Sequence, residues 1–109
     1  MTVEQLIKDM GLTAISLPSP NREVSGAYIG DLLSWVMGRA CEDNVWITIM
    51  SNSNVIAVAT LADVSCIILA EGVSPDDGVT ETAIAKGINL LSSNESAYEI
   101  AKRLSLLGL

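Results

Sequence analysis

The sequence predicts an α/β domain built on one central, largely parallel sheet of four to five strands, with helices packed on its faces. Three observations point there. Residues 45–50, 64–70 and 88–91 are short, nearly continuous apolar runs, as strands covered on both faces are. Helical stretches separate them, so the second half reads strand–helix–strand–helix–strand–helix. That alternation implies right-handed crossovers between parallel strands. The chain has 109 residues, 50% of them hydrophobic, which is the size and composition of one domain with its own core. No linker divides it, so residues 1–109 are read as a single domain.

The elements follow in order. Val3, Leu6, Ile7 and Met10 recur at i, i+3, i+4, i+7, the stripe of an amphipathic helix. Thr2 and Gln5 form a capping box before it, and Gly11 ends it. Residues 13–17 read as a short strand stopped by Pro18 and Pro20. Residues 24–29 form a moderate strand, weakened by Gly26. Asp31 is expected to cap a helix through Leu32, Leu33, Trp35, Val36 and Met37, with Gly38 as its stop. The β-branched and aromatic run 45–50 is the firmest strand. A helix over 55–61 leads to the strand over 64–70. Pro75, Asp76 and Asp77 are expected to open a helix that reaches Lys86, with Gly87 beyond its end. After a third short strand over 88–91, Ser92, Ser93, Asn94 and Glu95 are expected to cap a last helix over 96–107.

Composition excludes several function classes. Six basic against thirteen acidic residues give a net charge of −7, so nothing neutralises a run of phosphates, and neither nucleic acid nor an anionic membrane is an expected partner. The chain has no His, which removes His-based acid–base catalysis and every Ser–His or Cys–His dyad. No GxxxxGK[ST] phosphate loop occurs. No catalytic residue, metal site or cofactor is assigned. Cys41 and Cys66 form no CxxC motif; Cys66 lies in an apolar run and reads as core, whereas Cys41 lies near a polar turn. No apolar stretch reaches the ~18 residues of a membrane span. Residues 1–5 lack the basic stretch and apolar region of a signal peptide, so a reduced, cytoplasmic setting is expected.

The candidate binding residues sit after predicted parallel strands. Ser51, Asn52, Ser53 and Asn54 lie between a buried strand and a helix start, where open parallel sheets take ligands and free backbone N–H groups favour an anion. Capping and turn chemistry is the plain alternative for all four. Glu71 and Gly72 end the next strand; Gly72 allows close approach or a positive φ, and Glu71 suits a ribose hydroxyl better than a phosphate. Gly30 and Asp31 are a turn at the rim of such a site, or simply a cap. Asp76, Asp77 and Glu81 are explained as acids in a first helical turn. Arg22 and Arg39 are phosphate clamps or surface charges. The helix of Trp35, Val36 and Met37 is apolar nearly all round and needs burial on more than one side, which suggests a homodimer interface there. Trp46 is expected in the core or at the same kind of contact.

The segment Gly26-Ala27-Tyr28-Ile29-Gly30-Asp31-Leu32-Leu33-Ser34 resembles the conserved lead-in of DRTGG domains. So does the later order of strand 46–50, polar turn, short helix, strand 66–70 and Gly72, and the likeness covers nearly the whole chain. Related domains are accessories in phosphotransacetylases, in pyrophosphatases with CBS domains, and at the N-terminus of HPr kinase/phosphorylase. The resemblance implies the HPr kinase N-terminal type of α/β fold and a noncatalytic regulatory or interaction module, working as a homodimer that senses a small ligand or docks on a partner enzyme. It leaves two alternatives: a nucleotide- or anion-binding domain with its site at the carboxyl ends of the strands, or an accessory to a kinase or phosphotransfer system. Of the residues that give the family its name only Gly72 is present. Asn52-Ser53 stands where the family has Asp-Arg, and Ala70-Glu71-Gly72 where it has Thr-Gly-Gly, which favours a shared scaffold over a shared ligand.

Overall fold

Four consecutive strands run parallel in the computed structural model, which describes residues 1–109. They are β2 (Ala27–Ile29), β3 (Val45–Thr48), β4 (Cys66–Leu69) and β5 (Leu90–Ser92), and β1 (Thr13–Ser16) pairs antiparallel with β5. The five-stranded order is β1-β5-β4-β3-β2. The helices are α1 (Val3–Met10), α2 (Leu33–Arg39), α3 (Asn54–Ala62), α4 (Val79–Lys86) and α5 (Ala97–Leu106). The expected α/β class, largely parallel sheet and helix-covered faces are all present.

Because β2, β3, β4 and β5 are laid down in one direction, their right-handed crossovers put α2, α3 and α4 on the same face. Alternation along each strand divides the core accordingly. Trp46, Ile67, Leu69 and Leu90 pack with Val36, Val55, Ile56, Ala59, Val79 and Ala83 of these helices. Val45, Ile47, Cys66, Ile68 and Leu91 pack on the other face with Val3, Leu6 and Met10 of α1 and Ile100 and Leu104 of α5. β3 and β4 are buried at every position, which explains their unbroken apolar sequences. The strand order does not reverse among the parallel strands, so the sheet has no switch-point crevice of the doubly wound kind.

Several local expectations are met. Thr2 and Gln5 form the capping box of α1, and Gly11 and Gly87 take the left-handed conformation at the ends of α1 and α4. Others are corrected. α2 begins at Leu33 with no side-chain cap, because the Asp31 carboxylate is engaged elsewhere, and it continues through Gly38 to Arg39. α4 starts at Val79, not at Pro75: the Asp76 amide donates to Ser51 O (3.0 Å), which holds residues 75–77 away from the helix. The cap of α5 is Ser96, whose Oγ accepts from the Glu99 amide (3.2 Å).

Arg22 links distant turns. Its Nε donates to Asp43 Oδ1 (3.0 Å), and its Nη2 donates to Asp63 O (2.7 Å) and Asp63 Oδ1 (2.9 Å). Asp43 and Asp63 both have positive φ, at 66° and 57°, in the turns before β3 and β4. Partial burial works against the Arg22 charge, but the two carboxylates outweigh it and raise its pKa. Arg22 is therefore structural, not a phosphate clamp. Arg39 stacks on Trp35, 3.7 Å from the ring centre.

Both cysteines are free thiols, Cys41 exposed and Cys66 buried. Burial pushes the Cys66 thiol up to about 12 from 9.0, against weaker opposing pulls from the Ser65 hydrogen bond and the Arg22 charge. Below pH 9 the thiol is protonated whether folded or not, and stability does not depend on it. Between about pH 9 and 12 only the unfolded chain ionises, so stability falls as pH rises. Urea unfolding is expected to show about 2 kcal/mol less stability from this group at about pH 10.5 than at about pH 8. Cys66→Ala, measured in parallel, flattens that slope; an unchanged slope refutes the assignment.

Candidate functional site

The carboxyl ends of β2, β3, β4 and β5 lie along one edge of the sheet, and the loops that leave them gather most of the candidate residues. Asp31 stands just beyond β2. Its Oδ1 accepts from Thr48 Oγ1 (2.8 Å) and from the Ile49 amide (2.9 Å), tying the end of β2 to the end of β3. Gly30 is needed for close packing: a Cβ there would meet the Tyr28 ring at 2.9 Å. Its carbonyl accepts from Trp46 Nε1 at 2.9 Å.

After β3 the polar loop is half tied down. Ser51 Oγ donates to Asp76 Oδ1 (2.8 Å), and Asn52 Oδ1 accepts from the Asn54 amide (2.9 Å). The amides of Val55 and Ile56 donate to the carbonyls of Asn52 and Ser53. Protein acceptors therefore take the amides that a helix start would offer an anion. Ser53 and Asn54 are exposed.

Glu71 and Gly72 form the turn after β4, both with positive φ, at 61° and 71°. Their amides donate to Glu95 O and Ser93 O, each at 2.9 Å, joining this turn to the loop after β5. A Cβ on Gly72 would come 3.1 Å from Asn94 Oδ1, so both backbone angle and space call for glycine.

The edge is acidic. Asp31, Glu71, Asp76, Asp77 and Glu95 lie in these loops, which contain no Lys or Arg. Arg103 reaches in from α5 and is paired with Glu95. An unscreened phosphate is disfavoured here. Ribose hydroxyls, a base edge, or a phosphate already carrying a divalent cation suit the oxygen-rich surroundings. No three Cys, Asp and Glu side chains cluster as a ready-made metal set.

A groove of about 280 Å³ lies elsewhere, between α3 and α4 on the helix layer. Ile56, Ala57, Thr60 and Leu61 line one side and Thr82 and Lys86 the other; Ser53 alone of the candidate residues reaches it. The proposed interface helix divides. Trp35 and Met37 are 52% and 47% exposed, whereas Val36 is fully buried in the protein's own core and offers no surface to a partner. Trp46 is likewise internal.

Sequence reasoning missed three features. Asp76 belongs to this edge through Ser51, a partnership between residues 25 apart that no local pattern encodes. Asn89 is buried beneath the start of β5 with all three hydrogen bonds made, and the apolar run around it hid it. Helix α3 has no charged residue, and its sequence NVIAVATLA already signalled a helix with apolar surface to spare.

The DRTGG domain family model matches residues 5–107. Among curated protein sequences nothing matches the chain. Among solved structures, the chain is similar to the CBS and DRTGG domains of the regulatory region of Clostridium perfringens pyrophosphatase, complexed with its activator diadenosine tetraphosphate. The two share 14% identity and a TM-score of 0.70; the match covers 94% of this chain and 45% of that one, so this chain spans less than half of the structure it resembles. No helix is long and apolar enough to cross a membrane.

Proposed function

The chain belongs to the DRTGG domain family, and from that premise we propose that it is a noncatalytic regulatory module that works as a homodimer and senses a nucleotide at the carboxyl edge of its sheet. The observation that carries this reading is the shared fold with a regulatory region whose complex holds a dinucleotide activator. The edge supports the chemistry. Ser53 and Asn54 present exposed polar side chains in the loop after β3, and Glu71, exposed on the positive-φ turn after β4, offers a carboxylate to a ribose hydroxyl. The acidic surroundings require the phosphates to arrive with a divalent cation. The exposed Trp35 and Met37 on α2 supply apolar area for the dimer contact. Two unpaired cysteines suit a reduced, cytoplasmic setting.

Docking on a partner enzyme is the second reading. The α3–α4 groove favours it: Leu61 and Ile84, 71% and 57% exposed, are large apolar side chains on the two helices that form it.

Thermal unfolding in the presence of ATP and of diadenosine tetraphosphate, each with and without magnesium, separates the two. A site filled at 100 times its dissociation constant stabilises the fold by about 2.7 kcal/mol, a shift of several degrees for a domain of this size. The expected result is a saturable shift that needs magnesium and is at least halved in Ser53→Ala and Asn54→Ala. A flat response to both nucleotides refutes the sensing role and leaves the docking reading.

A further inference from the structure

The homodimer reading leaves open how two copies meet, and the edge of the sheet answers it. Gly26 O accepts from the Val45 amide and the Gly30 amide donates to Ile47 O, so Gly26, Tyr28 and Gly30 turn their backbone groups inward to β3. Strand alternation then points the N–H and C=O of Ala27 and Ile29 outward, where no strand of this chain lies. Both residues are exposed, and β2 carries no charge, proline or bulge to blunt the edge. The opposite edge is protected. β1 is irregular between Ala14 and Ser16, Pro18 follows it, and the Asn89 side chain takes the Ser19 N–H and C=O.

We infer that β2 pairs antiparallel with β2 of a second copy about a two-fold axis through Tyr28, joining the two sheets edge to edge. This inference rests on the homodimer reading. The outward pattern is self-complementary. With Tyr28 opposite Tyr28 of the copy, Ala27 faces Ile29, and each such pair exchanges two hydrogen bonds, so every outward group on the strand is satisfied by its own symmetry mate. Any edge strand can pair in this way; the second copy is the partner that the homodimer reading supplies, and a two-fold axis satisfies both edges at once. Three residues give register more than affinity. Affinity comes from the apolar side chains around the strand's end: Ile29 (49% exposed), Leu32 (58%) and Trp35 (52%), which lie within one short stretch leading into α2.

The test uses the full chain with Cys41→Ser, which removes the exposed native thiol. Ala27→Cys and Ile29→Cys are added, and both positions are exposed enough to leave the fold intact. Opposed residues in a hydrogen-bonded antiparallel pair have Cα atoms about 5.5 Å apart, within disulfide reach. Sedimentation equilibrium of the reduced protein is run beside a non-reducing gel after mild oxidation. The expected result is a concentration-dependent dimer that becomes covalent on oxidation, while the Cys41→Ser parent does not. A dimer that forms but does not cross-link overturns the edge pairing and leaves the homodimer standing. A monomer at every concentration overturns both. As a second measure, Ile29→Lys is expected to raise the dimer dissociation constant at least tenfold, and an unchanged constant overturns the proposal.

Discussion

Trp46→Ala is expected to lower stability by about 4 kcal/mol, within the range for truncating a large buried aromatic. Trp46 is fully buried at the centre of β3, among the side chains of α2, α3 and α4. Truncation removes the largest side chain of that core and leaves a cavity which rigid strands on either side cannot close. It also strips the Gly30 carbonyl of its 2.9 Å partner at the turn that leads to Asp31. Against total stabilities of about 5–15 kcal/mol, the variant retains only a fraction of the folded margin. A fall in Tm of about 15 °C or more follows for a domain of this size. Trp46→Phe separates the two contributions: most of the apolar burial stays and the N–H bond goes, at about 1 kcal/mol plus the smaller volume. If Trp46→Ala unfolds within about 1 kcal/mol of the parent in urea, the residue is not where the core depends on it.

Asn89→Leu is the second large effect, expected at about 3 kcal/mol although it makes the interior more apolar. Asn89 is 1% exposed. Its Oδ1 accepts from the Ser19 amide (2.9 Å), and its Nδ2 donates to Ser19 O (2.7 Å) and Ser65 O (3.0 Å). One side chain thus pins the loop after β1 to the segments before β4 and β5. Leucine keeps the branched outline but is bulkier, and it leaves one donor and two acceptors without partners; each unsatisfied buried group costs about 1–3 kcal/mol before water reaches it. Hydrogen exchange is the sharper measurement: the Ser19 amide, protected in the parent, is expected to exchange orders of magnitude faster in Asn89→Leu, while amides within β3 and β4 slow or quicken only with global stability. A Ser19 amide that stays protected refutes the pinning role.

Both residues sit in stretches whose type the sequence states clearly, yet their partners are not written there. Trp46 in an apolar, β-branched run reads as a buried strand residue; that its indole N–H meets Gly30 depends on β2 lying beside β3. Asp31 makes the same point for the candidate site. A carboxylate before an apolar helical run has the local pattern of a cap. The parallel pairing of β2 with β3 brings Thr48 and Ile49 within reach, and their hydrogen bonds win. Asp76 reads as an acid in a first helical turn until the crossover places it beside Ser51. Val36 and its neighbours on α2 look alike in sequence, and only docking on the sheet buries one and exposes Trp35 and Met37.

The sequence by itself determined the order and kind of the elements, the parallel character of the sheet, the capping box of α1 and the burial of Cys66. These rest on periodicity, propensity and turn chemistry over a few residues, which act whatever the rest of the chain does. Tertiary structure alone decided that β1 closes the sheet antiparallel beside β5, that α2, α3 and α4 share a face, and that Arg22, Asp31, Asp76 and Asn89 find partners far along the chain. A polar side chain takes whichever partner the packed backbone brings within about 3 Å, and that proximity exists only once the strands have been placed side by side.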